Sequence, residues 1–198
     1  MAYSLEPLSD GCYPGTAVLV NKLNIQDGQK LAQVEADITK LRIAQWEIQP
    51  LMDTFDFEHY KAIHQHLFGD LYDWAGQVRT VNLAKKGTHF CLAEKIEERG
   101  KLIFERLQRL NYLRGMEHDD FVEELVDFYC STNELHPFRE GNGRTQRVFL
   151  SQLVRNAGYR LNFSEIDGDL LMIATIQSAQ GVRDLLKQIL DDAIQPIE

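Results

Sequence analysis

The sequence predicts an all-α domain with one inserted β-hairpin. Three observations predict it. Apolar residues recur at helical spacing along most of the chain. Only one stretch, Gly76–Cys91, alternates as a strand does. No internal repeat or low-complexity run breaks the pattern. With 198 residues, 44% of them hydrophobic and 26% charged, the chain has the size and apolar content of one domain spanning residues 1–198.

The elements follow in order. Residues 1–28 are rich in Gly, Pro, Asn and Asp and read as an irregular lead-in. From Gln29 to Gln49, Leu31, Val34, Ile38, Leu41 and Ala44 recur with helical period, and Pro50 ends the helix. A second helix is expected from Asp56 to Trp74. In Gly76–Cys91, Val81 and Leu83 point one way and Thr80 and Asn82 the other, with a turn at Lys85-Lys86-Gly87. Helices resume at Glu94–Leu110. Asp120 with Glu123 reads as a capping pair opening a helix on Phe121, Val122, Leu125, Val126, Phe128 and Tyr129. That helix ends near Leu135, because Pro137 biases His136 away from the α region. The next helix starts near Gly143 and ends at Asn156-Ala157-Gly158. YRLNF is a short extended link, and Asp169–Gln177 and Val182–Ala193 are two last helices.

Composition narrows the function. A net charge of −9 disfavours non-specific binding to nucleic acid or anionic membrane, since counterion release needs clustered Lys and Arg. A local basic pocket for a small anion stays open. Cys12, Cys91 and Cys130 form neither a disulfide framework nor a metal pattern, and read as reduced thiols of a cytoplasmic protein. MAYSLEPLSDG lacks the features of a signal peptide, and no apolar run approaches the ~18 residues of a membrane span.

One short run breaks local stability rules. HPFREGNGRTQR (His136–Arg147) places Pro, two Gly and paired cations at a helix start. Phe149, Leu150 and Leu153 share one helix face, and Arg144, Arg147 and Ser151 the other. Two arginines three apart repel each other and the positive end of the helix dipole. A bound polyanion reverses every one of these signs. Gly141 and Gly143 let backbone N–H groups face a ligand, and Asn142 adds a side-chain donor, so 141–147 fits a di- or triphosphate. Glu140 suits Mg²⁺, a hard cation that takes carboxylate and phosphate oxygens. His136 titrates in the range of a general base. Pro137 and Phe138 would fix the loop. Each piece alone has a plain structural reading: a turn, a cap, a solvated acid. Their conjunction points to a site.

The same run resembles the Fic-domain signature HPFx[D/E]GNGRxxR at every specified position. Leu67–Asn82 (LFGDLYDWAGQVRTVN) and the hairpin around THFC look like the stretch before the active site of bacterial Fic toxins. In length and layout the chain resembles the FicT toxins, which pair with a small separate antitoxin. The resemblance implies a Fic fold, a helical bundle whose hairpin at 76–91 is a flap. It implies transfer of AMP from ATP-Mg²⁺ to a Ser, Thr or Tyr hydroxyl of another protein. In that reading His136 is the base, Phe138 the buried anchor and Glu140 the Mg²⁺ ligand. Gly141, Asn142 and Gly143 hold the α- and β-phosphates, Arg144 the β-phosphate and leaving pyrophosphate, and Arg147 the γ-phosphate. The flap, Lys85–Phe90, aligns the target by strand-like pairing. Lys86 and Gly87 at its turn belong with the nucleotide-site residues, the plainer reading of Lys85 and Lys86 being solubilising turn residues. Gln177, with Gly181, would line the adenine pocket.

Many members carry an inhibitory helix [S/T]xxxE[G/N] whose glutamate pairs with the second arginine. Here Thr54–Glu58 comes closest, but His59 follows where Gly or Asn is required, and the end of the chain offers no candidate. The resemblance therefore implies a helical antitoxin acting in trans, and DNA gyrase or topoisomerase IV ATPase subunits as targets; such an antitoxin needs an apolar groove, for which the Gln29–Gln49 helix is the candidate. Kinase-like relatives replace the second motif glycine by lysine; Gly143 favours AMP. Two alternatives stand beside this reading. One is a non-enzymatic, nucleotide- or partner-binding helical module. The other is a Fic enzyme transferring a different phosphate-containing group. His59, His64 and His66 lack the spacing of a metal site, His89 and His118 read as surface or turn residues, and Trp46, Trp74 and the phenylalanines as core.

Overall fold

The computed structural model describes residues 4–5, 11–50, 52–85 and 88–197. In chain order these form β1 (Ser4–Leu5), α1 (Gly28–Ile48), α2 (Phe57–Phe68), β2 (Leu83–Lys85), β3 (Thr88–His89), α3 (Ile96–Arg109), α4 (His118–Leu135), α5 (Asn142–Asn156), β4 (Tyr159–Leu161), α6 (Gly168–Ser178), α7 (Asp184–Ala193) and β5 (Ile194–Pro196). The fold is helical, as its apolar periodicity requires. Among the described residues no helix is long and apolar enough to cross a membrane.

α1 starts where Asp27 accepts a hydrogen bond from the Lys30 amide at 2.8 Å. Its buried face differs from expectation. Leu41 is 62% exposed and Ala44 is exposed too, whereas Glu35 and Thr39 are buried beside Leu31 and Trp46. Polar partners elsewhere in the chain, Arg144 of α5 and Tyr72 after α2, hold α1 on that stripe. α2 is shorter than its sequence pattern. Asp56 caps its first turn through the His59 amide at 2.7 Å. It stops at Phe68 rather than Trp74, because the Leu71 and Tyr72 amides turn back onto the Phe68 carbonyl. Leu71 and Tyr72 then enter the core, and the Tyr72 ring stacks on Trp74 at 4.4 Å.

The hairpin exists, but β2 and β3 occupy only its tip, and β1 joins them antiparallel, with Leu5 opposite Leu83. The expected irregular lead-in thus supplies a strand. β4, expected as an extended link, pairs antiparallel with β5, Leu161 opposite Ile194. The Asp120–Glu123 capping pair does not form. α4 starts at His118 with no side-chain cap, and Glu123 instead pairs with Lys187 of α7. Asp119 and Asp120 still place negative charge on the helix's positive end.

The core gathers around α5. Phe149 is fully buried, and its ring meets those of Phe55, His59, Tyr60, Phe104 and Phe128 within 5.9 Å. The expected apolar face of α5 (Phe149, Leu150, Leu153) is buried, which turns Arg144 and Arg147 away from it.

Candidate active site

The loop from α4 to α5 is held from several sides. His136 closes α4 as a left-handed residue, φ 43° and ψ 59°. The departure from helix expected before Pro137 occurs, but as a left-handed cap whose amide still reaches the Thr132 carbonyl at 3.2 Å. Two residues on, the Phe138 ring is buried against His64 at 3.8 Å and Tyr60 at 5.8 Å. The Asn142 carboxamide bonds both backbone groups of Phe138, each at 2.8 Å. It is therefore engaged inside the loop, and Asn142, buried, is not among the residues that line the cavity described below. Gly141 has φ +81°, and a Cβ there would lie 2.3 Å from the Phe68 ring, so only glycine fits.

His64 supports the loop from α2. Its Nδ1 accepts the Gly76 amide at 2.8 Å, so its Nε2–H donates to the Glu140 carbonyl at 3.0 Å. Burial holds its pKa at about 3, with Arg144 pushing the same way and the Glu140 bond opposing. His59 and His66 are likewise hydrogen-bonded, to Gln152 and to the Arg42 carbonyl.

The catalytic candidate has one defined tautomer. His136 Nδ1 lies 3.2 Å from the Asn133 carbonyl, an acceptor only, so Nδ1 carries the proton and Nε2 the lone pair. Phe90 from the hairpin stacks on the imidazole at 3.7 Å, 12° from parallel. The ring is mostly buried, and that burial lowers its pKa to about 3; the Asn133 bond opposes, and Arg79 and Lys85 add to the lowering.

The two motif arginines stand in different surroundings. Arg144 is tied to α1: its Nη2 reaches Glu35 at 2.5 Å and Glu140 at 3.6 Å, and its guanidinium covers the Phe68 ring at 4.7 Å. The second Glu35 oxygen accepts the Tyr72 hydroxyl at 2.5 Å. Arg147 is half-buried and, among the described residues, has no carboxylate partner. Burial lowers its pKa, as expected for a cation without compensation. It sits beside Gly143, whose first-turn amide has no acceptor within the helix.

These groups line a cavity of about 580 Å³. His136, Glu140, Gly141, Gly143, Arg144 and Arg147 are its charged and backbone lining, with Lys85 and Phe90 from the hairpin. Apolar side chains line it as well: Phe163 and Ile166 from the link after β4, and Leu171, Met172 and Ile176 of α6. Sequence reading missed this wall. The signal available was α6 itself, apolar on more faces than one core contact needs. Gln177 does not line the cavity; its neighbours Thr175, Ile176 and Ala179 do. Lys86 and Gly87 lie outside the described residues.

Glu140 fits part of a Mg²⁺ shell. Its carboxylate is on the cavity wall, and one oxygen accepts the Gly141 amide at 2.8 Å. Among the described residues no group of three His, Cys, Asp or Glu could hold an ion alone. A cation there would share Glu140 with substrate oxygens and water, the habit of Mg²⁺ at phosphates.

Comparison with known proteins gives concordant results. The Fic/DOC family matches residues 54–154. A Salmonella typhimurium protein named "Probable protein adenylyltransferase Fic" is 40% identical over 182 residues, 92% of this chain and 90% of that one. "Protein adenylyltransferase VbhT" of Bartonella schoenbuchensis is 36% identical over 94% of this chain and 38% of its own. Among solved structures, BepC from Bartonella tribocorum with bound AMPPNP superposes with a TM-score of 0.88 at 27% identity, covering 96% of this chain and 98% of that one.

Proposed function

This chain belongs to the Fic/DOC family, and from that premise we infer a protein adenylyltransferase that moves AMP from ATP onto a Ser, Thr or Tyr hydroxyl of another protein. The observation that carries it is one cavity lined by two kinds of group: an imidazole, a carboxylate, first-turn helix amides and a guanidinium with no carboxylate partner among the described residues, together with apolar side chains of α6 and the link before it. An adenosine fits the apolar side chains, and phosphates fit the amides and guanidinium groups.

In this reading Nε2 of His136 takes the proton of the acceptor hydroxyl. The hydroxyl oxygen forms a bond to the α-phosphorus, the bond from that phosphorus to the bridging oxygen breaks, and pyrophosphate leaves. Arg144, with its face over Phe68, supports the β-phosphate, and Arg147 the γ-phosphate. Glu140 would hold Mg²⁺, which would supply positive charge to neutralise the phosphate oxygens. The lowered pKa of His136 suits a base that must be unprotonated on arrival of the acceptor.

The toxin role and its targets belong to the same proposal. That Arg147 has no carboxylate partner among the described residues supports inhibition by a glutamate from a separate small helical antitoxin. Glu58, the nearest approach to an inhibitory glutamate in the sequence, is exposed and paired with Lys61 instead. The proposed acceptors are the ATPase subunits of DNA gyrase and topoisomerase IV.

ATP labelled in its α- or γ-phosphate, incubated with the chain and soluble bacterial proteins, tests the reaction. AMP transfer puts only the α label into protein, and His136→Ala abolishes it while ATP still binds. Incorporation of the γ label would mean phosphotransfer, and ATP binding with neither label would mean a nucleotide-binding module.

A further inference from the structure

Arg79 is among the most buried charged side chains, 4% exposed. Its donors reach main-chain carbonyls in three places: Nε to His136 at 2.8 Å, Nη1 to Val81 at 2.6 Å and Nη2 to Cys91 at 2.5 Å. Its own amide donates to the Pro137 carbonyl at 2.8 Å. One residue therefore grips the two successive carbonyls of the left-handed turn at His136. The same guanidinium holds both ends of the hairpin, since Val81 precedes β2 and Cys91 follows β3.

A guanidinium is a planar fork with donors at fixed angles, so carbonyls bound to it are fixed relative to one another. A buried cation is a poor way to stabilise a fold, because an apolar side chain of similar size often serves as well. What the fork supplies here is registry between two segments 57 residues apart. Two further contacts close the unit. The Cys91 amide donates to the Glu134 carbonyl at 2.9 Å, and Phe90 lies on the imidazole.

We propose that Arg79 is a positioning residue for the transfer: it holds the hairpin and the His136 turn in one frame, so that a hydroxyl aligned along the hairpin meets Nε2 of His136. The proposal rests on the reading of His136 as base and the hairpin as flap. Arg79 reaches the His136 turn through main-chain carbonyls and is not among the residues that line the cavity. Its loss therefore acts on the transfer step and not on nucleotide binding. Misplacing reacting groups by about 1 Å costs on the order of 100-fold in rate.

The test uses the full chain with Arg79→Lys, which keeps the charge without the fork, and Arg79→Ala, which leaves a hole. The readouts are ATP affinity by calorimetry and the initial rate of α-label incorporation into soluble bacterial proteins at saturating ATP. The expected result for Arg79→Lys is a rate reduced roughly 100-fold with Kd for ATP changed by less than about threefold. Added methylguanidinium restores the rate of Arg79→Ala by at least about tenfold and leaves His136→Ala inactive. A normal rate in Arg79→Lys overturns the proposal. So does parallel loss of ATP binding and rate, with no response to methylguanidinium in Arg79→Ala. Transfer by His136→Ala would sink the underlying reading of the base, a different outcome from either.

Discussion

At the scale of single residues, the site is marked by a charge left without compensation. Arg147 is half-buried, has lost part of its hydration, and among the described residues has no carboxylate to replace it. Such a group destabilises the empty protein and is stabilised by an anion. Arg147→Met is therefore expected to act in opposite directions on stability and on binding. Without nucleotide the variant gains about 1 kcal/mol, or ~2–4 °C in unfolding temperature for a chain of this size. With ATP it loses about 1.5–3 kcal/mol of binding, roughly 10- to 150-fold in Kd. Thermal unfolding with and without Mg-ATP measures both. A variant less stable in both conditions would show that the guanidinium is a structural group. Arg144 makes the contrast: Glu35 compensates it, and its removal is expected to destabilise the empty protein.

At the scale of elements, α1 shows how a helix is oriented by polar partners. Its apolar periodicity directs Leu41 and Ala44 inward, yet both are exposed. The helix instead presents Glu35 to Arg144 and Tyr72, and Thr39 lies 3.4 Å from Arg144. The apolar stripe of α1 is weak, whereas a carboxylate between a guanidinium and a phenol is bound by charge-assisted hydrogen bonds. Glu35→Gln keeps the shape and removes the charge. It is expected to lower the unfolding free energy by about 1–3 kcal/mol, while Leu41→Ala stays within about 0.5 kcal/mol. Urea unfolding of the two variants separates these orientations. Equal or reversed effects would place the helix on its apolar stripe after all.

At the scale of the whole molecule, the buried histidines make the fold acid-labile. His64 and His136 have pKa values of about 3, both through burial first. An unfolded histidine titrates near 6.5. Below that pH the unfolded chain binds protons that the folded chain refuses. Stability is complete above pH 6.5 and falls as pH drops from 6.5 toward 3, by about 1.4 kcal/mol per pH unit for each histidine. His59 is shifted the same way by burial. Urea unfolding at pH 7.5 and 5.5 measures the loss. An unchanged unfolding free energy would mean that these rings are protonated in the fold.

The helical class, the hairpin and the run from His136 to Arg147 were all legible in the linear chain, because each depends on neighbours within a turn or two. Gly141, Gly143 and the paired arginines single the run out through local costs that an ordinary helix start would avoid. Other features depend on residues far apart: Glu35 and Arg144 are separated by 109 positions, and His64 and Glu140 by 76. The same holds for the strand added by Ser4–Leu5, the pairing of β4 with β5, and the apolar wall of α6. Propensity and periodicity act over a few residues. Which buried donor finds which acceptor is settled only when the chain collapses and every polar group removed from water must be matched.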